Sequence, residues 1–196
     1  MGALLQEFRH PHCHRWAFVY LVVGSLLPAC APAPIFPPEV SDKVDRTMSI
    51  ENLTANPDPY RDYIVELGGQ IVGSIAEQDE VHILVRVLPI RSRPYGPVDT
   101  GRLNGMFVIR FAGKIGAQDV QDGNMVVVIG AVMGAVATSL PGAPVRRLTV
   151  NAECFHIWRT QGNQIDDFPW PPNARYWPLI QQTYCVNRPS VILPVT

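Results

Sequence analysis

The hydropathy pattern changes several times along the chain, and each change marks a boundary. Residues 16–27, WAFVYLVVGSLL, form an apolar run without a charged residue. The run is shorter than the ~20 residues that a membrane-spanning helix needs. It stops at Pro28, and Pro32, Pro34, Pro37 and Pro38 follow closely, none of which can continue a helix. Residues 31–38 therefore read as an extended proline-rich spacer. Residues 41–56 are polar with a helical tendency, with Val44, Met48 and Leu53 loosely spaced, and Asn56-Pro57-Asp58-Pro59 ends the segment as a turn.

From residue 63 the period shortens to two, the repeat of a strand. Residues 63–75 are rich in β-branched side chains, and Gly68-Gly69 reads as a bulge within the strand. In 81–88, Val81, Ile83, Val85 and Val87 share one face. Residues 106–111 make a third strand. The unbroken apolar stretch 125–136 makes a fourth, too short to span a membrane as a helix and valine-rich as a buried strand would be. Gly130 and Gly134 suit the curvature of a small barrel. In 148–158 the alternation puts Leu148, Val150, Ala152, Cys154, His156 and Trp158 on one face. Several strands with glycine bends and no amphipathic helix between them predict an all-β, mainly antiparallel fold, a single OB-like small β-barrel. The implied domains are a leader at 1–29, a tether at 30–46, the barrel at 47–160 and a Pro/aromatic C-terminal tail at 161–196 that packs on it.

The leader adds a chemical expectation. Arg9 and Arg15, weakened by Glu7, precede the apolar run, which closes on Leu27-Pro28-Ala29-Cys30. That order is a bacterial lipobox at the end of a secretory signal. Cleavage before Cys30 would leave its thiol carrying a diacylglyceryl group and its new amine an acyl chain of the palmitate kind. No other cofactor is expected. Each buried methylene adds ~0.8 kcal/mol, so two or more chains hold a protein on a membrane. The alternative is ordinary export with an incidental Cys30. Ala31, rather than an aspartate, follows the cysteine, which by the enterobacterial sorting rule favours the outer membrane. The net charge of −1 gives no field for nucleic acid. Cys13 lies in the leader, so Cys154 and Cys185 remain. They either pair in an oxidising compartment or stay as two buried thiols.

The order of short motifs carries a resemblance. After the lipobox come Leu67-Gly68-Gly69-Gln70-Ile71, Val87-Leu88-Pro89-Ile90 and Gly101-Arg102-Leu103. Asp122-Gly123-Asn124-Met125 then leads a valine run to Gly130 and Gly134, and Leu148-Thr149-Val150 closes on His156-Ile157-Trp158. This resembles the Slp family of starvation-inducible outer-membrane lipoproteins, from Cys30 to about Trp158. The resemblance implies an outer-membrane lipoprotein facing the periplasm, an OB-like barrel, no catalytic activity and an association with stress. Leu103 stands where the family commonly has an aromatic residue, and Val145-Arg146-Arg147 where a tyrosine is common.

No catalytic or metal residues are nominated. His82 and His156 lie on different strands without a third ligand at metal spacing, and no Gly-x-Ser-x-Gly occurs. Arg91, Arg93 and Arg102 form a basic loop that is either solvated surface or a grip on lipid or lipopolysaccharide phosphates, or on a glycan or small molecule at the barrel face. Trp170, Tyr176 and Trp177 stand among prolines. They either fold back on the barrel or dock on the membrane surface or an envelope protein. The expectation is a non-enzymatic envelope structural or stress-associated factor, the alternative a ligand-binding module.

Overall fold

In the computed structural model, residues 34–77, 79–101, 105–137, 145–168, 179–186 and 191–192 are described. Cys30, Arg102, Trp170, Tyr176 and Trp177 lie outside them. The long strands are β1 (Ile64–Glu77), β2 (Glu80–Leu88), β5 (Met106–Ala112), β6 (Met125–Ala137) and β7 (Arg146–Trp158). The sequence-predicted strands fall within these bounds except at residue 63, just before β1. Two short strands, β3 (Ile90–Ser92) and β4 (Tyr95–Pro97), form a separate hairpin. The tail adds β8 (Gln181–Cys185) and β9 (Val191–Ile192).

Antiparallel pairing joins β5 to β2, β2 to β1, β1 to β6 and β6 to β7. A parallel pairing of β5 with the first half of β7, from Phe107↔Leu148 to Arg110↔Asn151, closes the ring. The result is a five-stranded barrel of the OB kind. The second half of β7 instead pairs with β8, Cys154↔Cys185 to Trp158↔Gln181, so the tail extends the sheet beyond the barrel.

Bulges let the strands turn the corner. Val72 is the extra residue in β1, because Ile71 pairs with Val85 and Gly73 with Leu84. Gly68 and Gly69 keep regular register with Leu88 and Val87, which corrects the bulge expected there. Their role is close approach: a Cβ on Gly69 would lie 2.2 Å from the Arg86 carbonyl oxygen. In β7 the extra residue is Glu153, since Ile129 pairs with Cys154 and Gly130 with Ala152. One extra residue exchanges the two faces of everything after it. Leu148, Val150 and Ala152 therefore join the barrel interior with Phe155 and Ile157, while Cys154 and Trp158 lie in a second cluster outside. The single face predicted for 148–158 holds only as far as the bulge.

The interior cluster includes Ile71, Ile83, Val85, Phe107, Ile109, Val126 and Val128. Leu53, on the short helix α2 (Ile50–Ala55), belongs to it, and Met48 and Tyr60 pack against it. The Asp62 N–H donates to the Val132 carbonyl, which sets this segment at the end where β1 begins. Ile115 and Val120, from the connection between β5 and β6, also pack on the core.

The outer cluster explains the unbroken apolar run of β6. Met125, Val127 and Ile129 point outward yet are fully buried. Phe36 and Val44 cover them, with Ile35, Val40, Ile90, Tyr95, Ile165 and Leu179 packed alongside. A strand covered on both faces needs no polar alternation. Phe36, at 4% exposure, precedes the helical turn α1 (Pro38–Ser41). Residues 34–46 are thus part of the folded domain, not the free spacer expected of the tether.

Candidate functional site

The chemistry-bearing residues gather in three places: the covering layer on β6 and β7, a groove beside it and a buried polar network. In the covering layer, the hairpin β3–β4 carries two of the arginines singled out from the sequence. Arg91 is not free for a ligand. Its guanidinium lies 2.5 Å from Asp166 in the 3-10 turn Ile165–Asp167, and that hydrogen bond holds the Asp166 carboxyl below its ordinary range. Arg93, in the turn between the two strands, is exposed. Tyr95 anchors the hairpin, its ring 6.3 Å from that of Trp158 and its hydroxyl donating to Glu66. Burial, aided by the Glu66 carboxylate, raises its pKa well above the ordinary phenol value.

Between this hairpin and the segment before α2 lies a groove of about 540 Å³, with Met48, Ile50, Leu88 and Ile90 among its walls and Glu51 and Glu66 as its charged groups. Apolar walls with carboxylates suit a cation on an apolar stem and repel phosphate. Arg46 lines only a smaller adjoining cavity of about 200 Å³. The expected basic grip on phosphate is therefore not what this groove offers.

The buried network ties the far connection to the tail. Asp119, 1% exposed, accepts from Arg159 Nε and from the Tyr184 hydroxyl, each at 2.6 Å. Burial, with that bond to Asp119, pushes Tyr184 up to about 12. The same carboxylate raises Arg159. Asn124 donates to the carbonyls of Gln118 and Asp119 and accepts from the Gln161 N–H. Sequence reasoning missed this set because Arg159 and Tyr184 lie 40 and 65 positions from Asp119, and no local motif marks them.

On the outer side of β7, His156 has no exposed surface. Its Nδ1 is 2.7 Å from Thr183 Oγ1 and its Nε2 is 3.2 Å from Gln181 Oε1, both on β8. With Gln181 accepting, Nε2 carries the proton and Nδ1 accepts from the threonine. Burial lowers its pKa to about 4, against the opposing bond to Gln181. His82, on the outer face of β2, lies 3.5 Å from Glu80. Among the described residues no group of three or more His, Cys, Asp or Glu is placed to hold a metal. Cys154 and Cys185 are register partners on β7 and β8 and are joined by a disulfide, Cα–Cα 4.1 Å. The sequence signal that could have found the covering layer is Ile35-Phe36, bulky apolar residues inside a proline run, which a solvated spacer would not carry.

Among the described residues no helix is long and apolar enough to cross a membrane. Compared with known proteins, residues 27–185 match the model of the outer membrane lipoprotein Slp family. The match runs past Trp158 to Cys185 and so includes β8 and its pairing with β7. No curated protein and no solved structure matches the chain.

Proposed function

The chain belongs to the Slp family of outer membrane lipoproteins, and from that premise we propose that Cys30 carries the lipid and that the barrel faces the periplasm as a non-enzymatic envelope structural factor with a stress-associated role. The observation that supports this most is the burial of Phe36, six positions after Cys30. A lipid at Cys30 would then hold the barrel by a short stretch of chain, because the folded domain already begins at Pro34. The non-enzymatic part draws support from where the reactive groups lie. Asp119, Tyr184 and His156 are each committed to structural partners, and neutral His156 is shut away from substrate. A ligand-binding role on the arginine loop is less favoured, since Arg91 is held by Asp166 and the groove beside it is acidic.

Fractionation and protease accessibility test the reading together. The wild-type protein should sediment with outer-membrane vesicles, resist added trypsin in intact cells and be digested once the outer membrane is permeabilised. Cys30→Ser should leave the membrane fraction or accumulate as precursor, and stationary-phase cells should hold more of the protein than growing ones. Digestion in intact cells would reverse the orientation. A mutant that fractionates like wild type would remove the anchor.

A further inference from the structure

We propose that the layer covering the outer face of β6 and β7, made of residues 34–44 and the β3–β4 hairpin, is the side that the domain sets against the phospholipid headgroups. The outer face of the first half of β2 and the second half of β5, around Leu84, Val108 and Arg110, is then turned away from the bilayer. This rests on Cys30 carrying the lipid, and it adds which face of the barrel meets the membrane.

The argument is one of reach. A lipidated Cys30 sits at the membrane surface, and Pro34 is four positions later. An extended chain advances at most ~3.3–3.6 Å per residue, so Pro34 lies within about 14 Å of the anchor. From there the chain is fixed to the fold: Phe36 and Val44 are buried in the outer cluster with Met125, Val127, Ile129 and Trp158. Two further ties hold the segment across the barrel wall. The Asp45 N–H donates to the Ile64 carbonyl on β1, and Lys43 pairs with Glu153 on β7 at 3.0 Å. The hairpin belongs to the same layer, since Ile90 and Tyr95 pack in that cluster.

The ring runs β1–β2–β5–β7–β6, so the strand opposite the β6–β7 pair is β2. A covering layer stands about 10 Å from the wall beneath it, and opposite walls of a small barrel are about 10 Å apart. The last residue of β2, Leu88, packs in the covering cluster itself, but the outer face of the first half of β2, residues 80–84, is about 20 Å from residues 34–36, beyond the reach of the tether. The domain cannot roll over to present that face to the bilayer without tearing Phe36 out of its cluster. Charge does not make this choice. Arg93 is exposed on the hairpin, while Glu39 and Asp42 are exposed on the covering segment, so the length of chain decides it.

The face turned away has its own character. Leu84 and Val108 form a small cluster with Val72 and Ile75 on the outside of the barrel. Arg110 pairs with Glu80 across it, and Ala112, the register partner of Glu80, is exposed at its rim.

Full-length lipidated protein, reconstituted in vesicles of phosphatidylethanolamine with a minority of phosphatidylglycerol, gives the test. Asp42→Cys, Arg93→Cys and Ala112→Cys each supply one labelling site for a fluorophore, and a headgroup-spin-labelled lipid serves as quencher. All three positions are exposed, so the substitutions leave the core intact. Flotation with the vesicles is read first. Loss of flotation would overturn the lipid anchor at Cys30, and the proposal with it. In vesicles that float, labels at positions 42 and 93 should lose most of their fluorescence while the label at 112 keeps its own. Equal quenching at all three, or stronger quenching at 112, would overturn the orientation and leave the anchor standing.

Discussion

His156 is a neutral imidazole wedged between Thr183, Gln181 and Trp158, whose ring lies 4.3 Å away. Its folded pKa of about 4 lies below its ordinary 6.5, so the unfolded chain takes up a proton in a range where the fold does not. Its contribution is present above pH 6.5 and is lost as the pH falls from there to about 4. The full effect is about 3 kcal/mol. Urea midpoints across that range should fall, and His156→Gln should flatten the slope. An unchanged slope in the variant would assign the effect to other groups. A second test concerns glycine. A Cβ on Gly130 would meet the Asn151 carbonyl oxygen at 2.2 Å, backbone that cannot step aside, whereas nothing lies within 4 Å of one on Gly73. Gly130→Ala should cost about 2–3 kcal/mol of unfolding free energy and Gly73→Ala little, as thermal melts of the two variants would show. The value of Gly130 to a curved strand was legible in the sequence. The partners of His156 were not, because they arrive on a strand that pairs from more than 20 positions away.

Hydrophobic alternation specified β2 and the first half of β7, where one face is buried and a one-residue slip would expose the whole set, and an unbroken valine-rich run specified β6. The same rule hides a bulge. Nothing in Glu153 itself announces that it is the extra residue, and it redirects Cys154, His156 and Trp158 to the outer layer. The hairpin β3–β4 was hidden for another reason. Its strands are only three residues each and sit in a Pro- and Arg-rich stretch, where composition indicates a loop. At this scale the tail is the element to test. Tyr184 on β8 stacks on Phe155 at 5.1 Å and bonds to Asp119, so ending the chain after Gly162 removes a strand, a core aromatic and the disulfide. The melting transition should drop by an amount equivalent to several kcal/mol. An unchanged midpoint would make the tail an arm independent of the barrel. The disulfide can be separated from the rest of this loss. Cys154 and Cys185 are 31 positions apart, and opening such a loop costs about 3–4 kcal/mol in the chain-entropy model. Thiol counting on denatured, unreduced protein should find no free thiol at either position, and Cys154→Ala/Cys185→Ala should melt earlier by that margin. Two free thiols would remove the bridge.

For the molecule as a whole, the strands were readable and the ring was not. Closure depends on the parallel pairing of β5 with β7, a contact between segments some 40 positions apart that no local pattern encodes. The covering layer was misjudged for the converse reason, since prolines in 31–38 predicted extension while the apolar Ile35-Phe36 pair among them entered no pattern. The lipobox expectation is of another kind, since a processing signal is read by an enzyme as linear sequence and needs no fold. These parts meet in one claim: an OB-like barrel held at the outer membrane by a lipid on Cys30, with its N-terminal segment built into the fold. The most direct test is the mass of the N-terminal peptide from protein purified out of native outer membranes. A peptide that begins at Cys30 and carries a diacylglyceryl group on sulfur and an acyl chain on its amine is the result expected. A mature N-terminus elsewhere, or an unmodified Cys30, would contradict it.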